Sequence, residues 1–67
     1  MFLTDQEREK FASYLEQDAS SNEQMANQMK SLPGAETLVP MIKIYVVRSA
    51  AERLIAGLLR STESQKI

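Results

Sequence analysis

The stretch VPMIKIYVVRSAAERLIAGLL, residues 39 to 59, is apolar on nearly every side in a chain of only 67 residues. It constrains the fold more than any other feature. A domain this short buries only about 60% of the surface its unfolded chain exposes. Small folds usually compensate with disulfides, a structural metal or self-association. With no cysteine and no histidine, the first device is absent and the second has almost no ligands to use. Self-association is what remains.

The stretch admits two readings. MIKIYVV has the β-branched and aromatic character of a strand, but nothing else in the chain has a period of two, so its partner would have to be another copy. Ribbon-helix-helix proteins pair strands in that way, yet their fold needs two helices after the strand, and only SAAERLIAGLLRST follows before the polar end. The helical reading needs less. Thr37 is an acceptable N-cap, Pro40 falls in the first turn where a missing N–H costs nothing, and Ile44, Val47, Ala51, Leu54 and Leu58 share one face. β-Branched residues penalise a helix by only a few tenths of a kcal/mol each, which packing overrides.

The first element starts at Thr4. Thr4-Asp5-Gln6-Glu7 matches the capping box, in which hydroxyl and carboxylate reciprocally satisfy free N–H groups of the first turn. Phe11, Leu15, Asp18, Asn22, Met25, Met29 and Leu32 then alternate by four and three, beside a stripe of smaller residues formed by Ala12, Leu15, Ala19, Asn22, Ala26 and Met29. Ser20-Ser21-Asn22-Glu23 is a second capping-box match, but the period continues across it without Gly or Pro, which predicts one helix over about 4–32, roughly 43 Å long. Pro33 and Gly34 mark its end. The predicted fold is all-α: an antiparallel two-helix hairpin, with the second helix at about 38–60 and a flexible tail at 61–67.

Fifteen of the 22 residues from 38 to 59 are apolar or alanine, against nine of the 29 in the first helix. One partner helix cannot cover the second, and a helix that is hydrophobic nearly all round is a buried helix. The sequence therefore predicts a homo-oligomer, with Ala50 and Gly57 permitting close backbone approach. Lys43, Arg48, Glu52 and Arg53 each cost roughly 2.5–3.5 kcal/mol at a bilayer centre, so the stretch does not read as a membrane span. MFLTDQEREK has no apolar core of a secretory signal, which makes the cytoplasm the expected compartment.

The formal charge of -1 hides a division. Residues 1 to 37 hold seven acids and three bases, giving -4, whereas residues 38 to 67 hold five bases and two acids, giving +3. The halves can attract one another, or the basic half can meet an anion. Catalysis is not expected: no His or Cys is present, and no G-x-S-x-G or S-x-x-K pattern occurs. Glu7 with Glu9 and Glu16 with Asp18 are two apart, which sends them to different sides of a helix and suits solvated surface rather than a metal site. No metal and no cofactor are expected. A pI near 5.3 without a Lys/Arg cluster disfavours double-stranded DNA.

A small anion needs fewer cations. Lys30, Arg48, Arg53 and Arg60 are spaced along the helices, and Tyr14 and Tyr45 are the only tyrosines; Arg and Tyr recognise phosphates and stack on bases. Each has a plainer reading. Lys30 suits a helix C-terminus, Arg53 and Arg60, seven apart, suit salt bridges to acids of the first helix, Tyr45 suits the core with its hydroxyl at an edge, and Tyr14 is balanced between the two. Symmetric assembly would turn one cation per chain into a ring or pair around an interface pocket.

LTDQEREKFASYLEQ, a long helix ending in QMKSLP, a second alanine-rich helix and the ending LLRSTES together resemble small bacteriophage proteins of the anti-CBASS cyclic-oligonucleotide sponge type, related to the helical-hairpin module of an anti-Thoeris sponge. The resemblance covers most of the chain in size and layout. It implies a helical oligomer that binds cyclic nucleotide signals between protomers without catalysis. Tyr14 and Lys30 stand where that family places a pocket tyrosine and lysine; on this reading Tyr14 stacks on a base, and Lys30 meets phosphates with Arg48, Arg53 or Arg60 of a neighbouring chain. The alternative is a protein-protein module, such as a phage accessory inhibitor, an antitoxin-like adaptor or a small scaffold, whose remaining apolar face binds a partner.

Overall fold

A computed structural model describes residues 3–61, and these are helical with no strand among them. Helix α1 spans Asp5–Lys30 and helix α2 spans Val39–Ser61, with a short 3-10 turn at Ala35–Leu38 between them. The MIKIYVV segment is therefore helix. The tail expected over 61–67 lies, beyond Ser61, outside the described residues.

The capping box forms as read. The Glu7 N–H donates to Thr4 Oγ1 at 3.1 Å, and the Thr4 N–H donates to Glu7 Oε1 at 2.8 Å. Two of the four orphan donors of the helix start are thereby satisfied. α1 runs without a break through residues 20–23, where Asn22 is buried and so unavailable as surface punctuation. It stops at Lys30, two residues short of the expected end, because the N–H groups of Ser31 and Leu32 turn back to the carbonyls of Gln28 and Met29, both at 3.2 Å. Pro33 disfavours helical geometry at the residue before it, and Gly34 adopts the left-handed φ of 76° that reverses the chain.

Thr37 is not the N-cap of α2. Its hydroxyl donates to the Gly34 carbonyl at 2.7 Å and closes the 3-10 turn, from which α2 follows directly. Pro40 is the second residue of α2, in the turn whose N–H groups have no helical partner.

Every buried residue belongs to one of two series. On α1, Arg8, Ala12, Leu15, Ala19, Asn22, Ala26 and Met29 alternate by four and three; Leu38 at the end of the 3-10 turn and Ile42, Tyr45, Ser49, Glu52, Ala56 and Leu59 on α2 do the same. A period of 3.5 keeps one seam facing its partner along the full length of both helices. The hydrogen bond from Asn22 to Glu52 and the ion pairs from Arg53 to Glu23 and Arg60 to Glu9 match early α1 with late α2, so the helices run antiparallel. Ala12, Ala19 and Ala26 recur every seventh residue against Ile42, Ser49 and Ala56, which lets the backbones approach closely.

The larger stripe on α1 is only partly used: Leu15, Asn22 and Met29 enter the seam, while Phe11, Met25 and Leu32 remain exposed. On α2 the face expected to pack, Ile44, Val47, Ala51, Leu54 and Leu58, points away from α1. The reason is size. Alanine and serine on both sides of the other seam allow a closer fit than a ridge of branched residues against the small stripe of α1.

Candidate functional site

Two surfaces carry chemistry. The first is a charged flank on one side of the seam. Glu9, Glu16, Glu23 and Lys30 recur every seventh residue along α1, facing Arg53 and Arg60 of α2. Arg53 grips Glu23 with both its Nε and Nη2, at 2.8 and 2.7 Å, and reaches Ser20 at 3.3 Å. Arg60 bonds Glu9 through Nε and Nη2, both at 2.9 Å, and Glu16 through Nη1 at 2.5 Å. These hydrogen bonds hold the carboxyls of Glu9, Glu16 and Glu23 below the usual range and push both guanidinium groups up. An open groove of about 480 Å³ lies on this flank, lined among others by Glu23, Ala26, Lys30, Val46, Ala50 and Arg53.

A polar layer sits at mid-seam. Asn22, 8% exposed, donates to Glu52 Oε1 at 2.8 Å and more weakly to Asp18 Oδ2 at 3.4 Å. The hydrogen bond between the two carboxyls favours a proton on Glu52, burial adds to that, and its pKa is raised; the Asn22 amide and the Arg48 charge pull it back. An amide fixed between two acids at one height sets the register of the helices.

The second surface is apolar and outward. Val47 and Leu54 are each 66% exposed, and Ile44 and Leu58 are more than half exposed. With Ala51 they form a four-three series on the side of α2 roughly opposite the seam. Met41 and Ile55 continue it around α2.

The five residues singled out in the sequence are not brought together in one chain. Lys30 and Arg53 line the groove, and Arg53 is already engaged by Glu23. Arg60 bridges two glutamates further along the same flank. Arg48 is exposed near the polar layer, away from the groove. Tyr14 is 54% exposed on another face of α1. Sixteen residues separate it from Lys30, roughly 24 Å of helix and nearly half a rotation, so those two could share a pocket only between chains. For Arg53 and Arg60, the plainer expectation of salt bridges to the first helix describes the arrangement. Tyr45 lies half-buried in the seam.

Glu9, Glu16 and Glu23 escaped attention as a set, although their spacing of seven, matched to Arg53 and Arg60, is visible in the sequence. Among the described residues, no group of three or more acids could hold a metal ion, and no helix is long and apolar enough to cross a membrane. Comparison with protein-family models, curated proteins and solved structures finds no match to this chain.

Proposed function

We propose that the chain is a non-catalytic docking module that works as a homo-oligomer and acts through the outer face of α2. The observation that carries this reading is the exposed series Ile44, Val47, Ala51, Leu54 and Leu58, a second helix-packing seam on which, among the described residues, no helix of the same chain lies. A contiguous apolar face of this kind marks an interaction site on a small protein. The seam that is filled offers little in its place. Its buried apolar groups are four alanines and Ile42, and among the described residues no large side chain is completely enclosed. Each alanine methyl contributes about 0.8 kcal/mol, less than the 1–2 kcal/mol needed to order one residue's backbone.

Sedimentation velocity across low to high micromolar concentrations tests the reading. A defined oligomer is expected, and Val47→Glu with Leu54→Glu should reduce it to a monomer that keeps its helical spectrum. A native chain that sediments as a monomer throughout, with full helicity, contradicts it.

A second reading is a sequestering protein for cyclic oligonucleotides or another small phosphate-bearing ligand, and one observation favours it. Lys30 and Arg53 converge on an open groove with apolar walls at Val46 and Ala50, the combination that takes a phosphate and a base edge. Tyr14 would have to come from a second chain. Melting the protein with a panel of cyclic di- and trinucleotides discriminates, since ligand at 100 times its Kd stabilises by about 2.7 kcal/mol. A shift abolished by Lys30→Ala supports sequestration, and no shift with any member of the panel removes it.

A further inference from the structure

We infer that the outer face of α2 is occupied by the same face of a second copy, packed antiparallel about a two-fold axis at Ala51. This rests on the homo-oligomer reading above and adds its geometry.

Three observations converge. The seam is self-complementary: about Ala51, Ile44 and Leu58 lie seven residues to either side, and Val47 and Leu54 lie four and three. A two-fold interface requires that residue i meet residue j and j meet i. Antiparallel packing satisfies this by setting Ile44 against Leu58 of the partner subunit and Val47 against Leu54 of the partner subunit, with the two small Ala51 side chains where the helices approach most closely.

The face is open along its length. Ile44, Val47, Leu54 and Leu58 are each more than half exposed, with Met41 and Ile55 beside them, a contiguous apolar surface of the kind that marks an interface.

Charge selects the direction. Glu23, Glu9 and Glu16 already neutralise Arg53 and Arg60, and Glu52 lies in the seam, which leaves Lys43 and Arg48 on the two borders of the outer face. A parallel pair would bring the Lys43 border of each helix alongside the Arg48 border of the other, only five residues out of step. The antiparallel pair instead separates the two Lys43 side chains by roughly 24 Å of helix and the two Arg48 side chains by roughly 9 Å. Like charges are thus dispersed, and the helix dipoles oppose.

The absence of cysteine in the native chain makes the register directly readable. Ala51→Cys is expected to form a disulfide-linked dimer on mild oxidation, because the two-fold places its Cα atoms within the roughly 4.4–6.8 Å that a disulfide spans. Ile44→Cys and Leu58→Cys should each fail to link alone and should link to one another when mixed. Circular dichroism and sedimentation of each reduced variant confirm that it is folded and assembled before oxidation. Ile44→Cys linking to itself as readily as Ala51→Cys overturns the antiparallel arrangement. An assembled Ala51→Cys that does not link overturns this interface while leaving the oligomer in place, and a monomeric native chain overturns both.

Discussion

At the scale of single residues, the electrostatics divide into two groups with opposite pH behaviour. The Thr4 backbone and hydroxyl hold Glu7 below the ordinary carboxylate range, and the arginines do the same for Glu9, Glu16 and Glu23. Their contribution is fully present above about pH 4.5, the unfolded value, and is lost as pH falls through the depressed folded values. Glu52 is displaced upward by its contact with Asp18 and by burial. Between about pH 4.5 and its raised value the folded chain holds a proton that the unfolded chain releases, so the stability this proton contributes is lost as pH rises through that window. Acidification from neutrality should therefore first raise the melting temperature and then lower it. Glu52→Gln carries a neutral group at the same place, keeps an acceptor for the Asn22 amide and can donate to Asp18. It is expected to melt higher than the native chain at pH 7 and to lose the rise on mild acidification while keeping the fall below about pH 4.5. Thermal denaturation of both proteins from pH 7 to 3 at one protein concentration measures this, and superimposable profiles would contradict the proton's placement on Glu52.

At the scale of elements, the hairpin was legible and its facing was not. The Thr4 box, the Pro33-Gly34 stop and the four-three spacing locate both helices within a few residues, because caps and breakers are local chemistry. The choice between two seams on α2 is not local. Ile44, Val47, Ala51, Leu54 and Leu58 are the more hydrophobic series, yet α1 takes Ile42, Ser49 and Ala56, since it offers alanines and close approach outweighs side-chain bulk. That Arg53 and Arg60 would pair with acids of the first helix was legible, but which glutamates they meet, 30 to 51 residues away, was decided across the hairpin. Two substitutions measure the packing. Ala19→Leu forces a branched side chain into a fully enclosed position and should destabilise the hairpin by about 1–3 kcal/mol. Gly57 was read as a site of close backbone approach between copies; within the chain itself a methyl group there meets nothing within 4 Å. Gly57→Ala should accordingly stabilise by about 0.5–1 kcal/mol, as expected for an open position inside a helix. Urea denaturation gives both values, and a destabilising Gly57→Ala would instead place another copy's backbone against that position.

At the scale of the whole molecule, the proposed assembly through the outer face of α2 would couple association to the stability of the hairpin. The inner seam is narrow and alanine-lined, with a polar layer of Asn22, Asp18 and Glu52 at its middle. Its flanking ion pairs are partly exposed, and solvent screening leaves such pairs little net contribution. The outer face of α2 holds larger apolar side chains, and these stay exposed in the single chain. When a native state is also an assembled state, mass action raises its melting temperature with protein concentration. The native chain should melt progressively higher as its concentration is raised a hundredfold, whereas Val47→Glu with Leu54→Glu, both at exposed positions with no role in the inner seam, should melt lower and at a temperature independent of concentration. Calorimetry at several concentrations distinguishes the cases. A concentration-independent native melt equal to that of the double variant would mean that the outer face adds nothing to the stability of the fold.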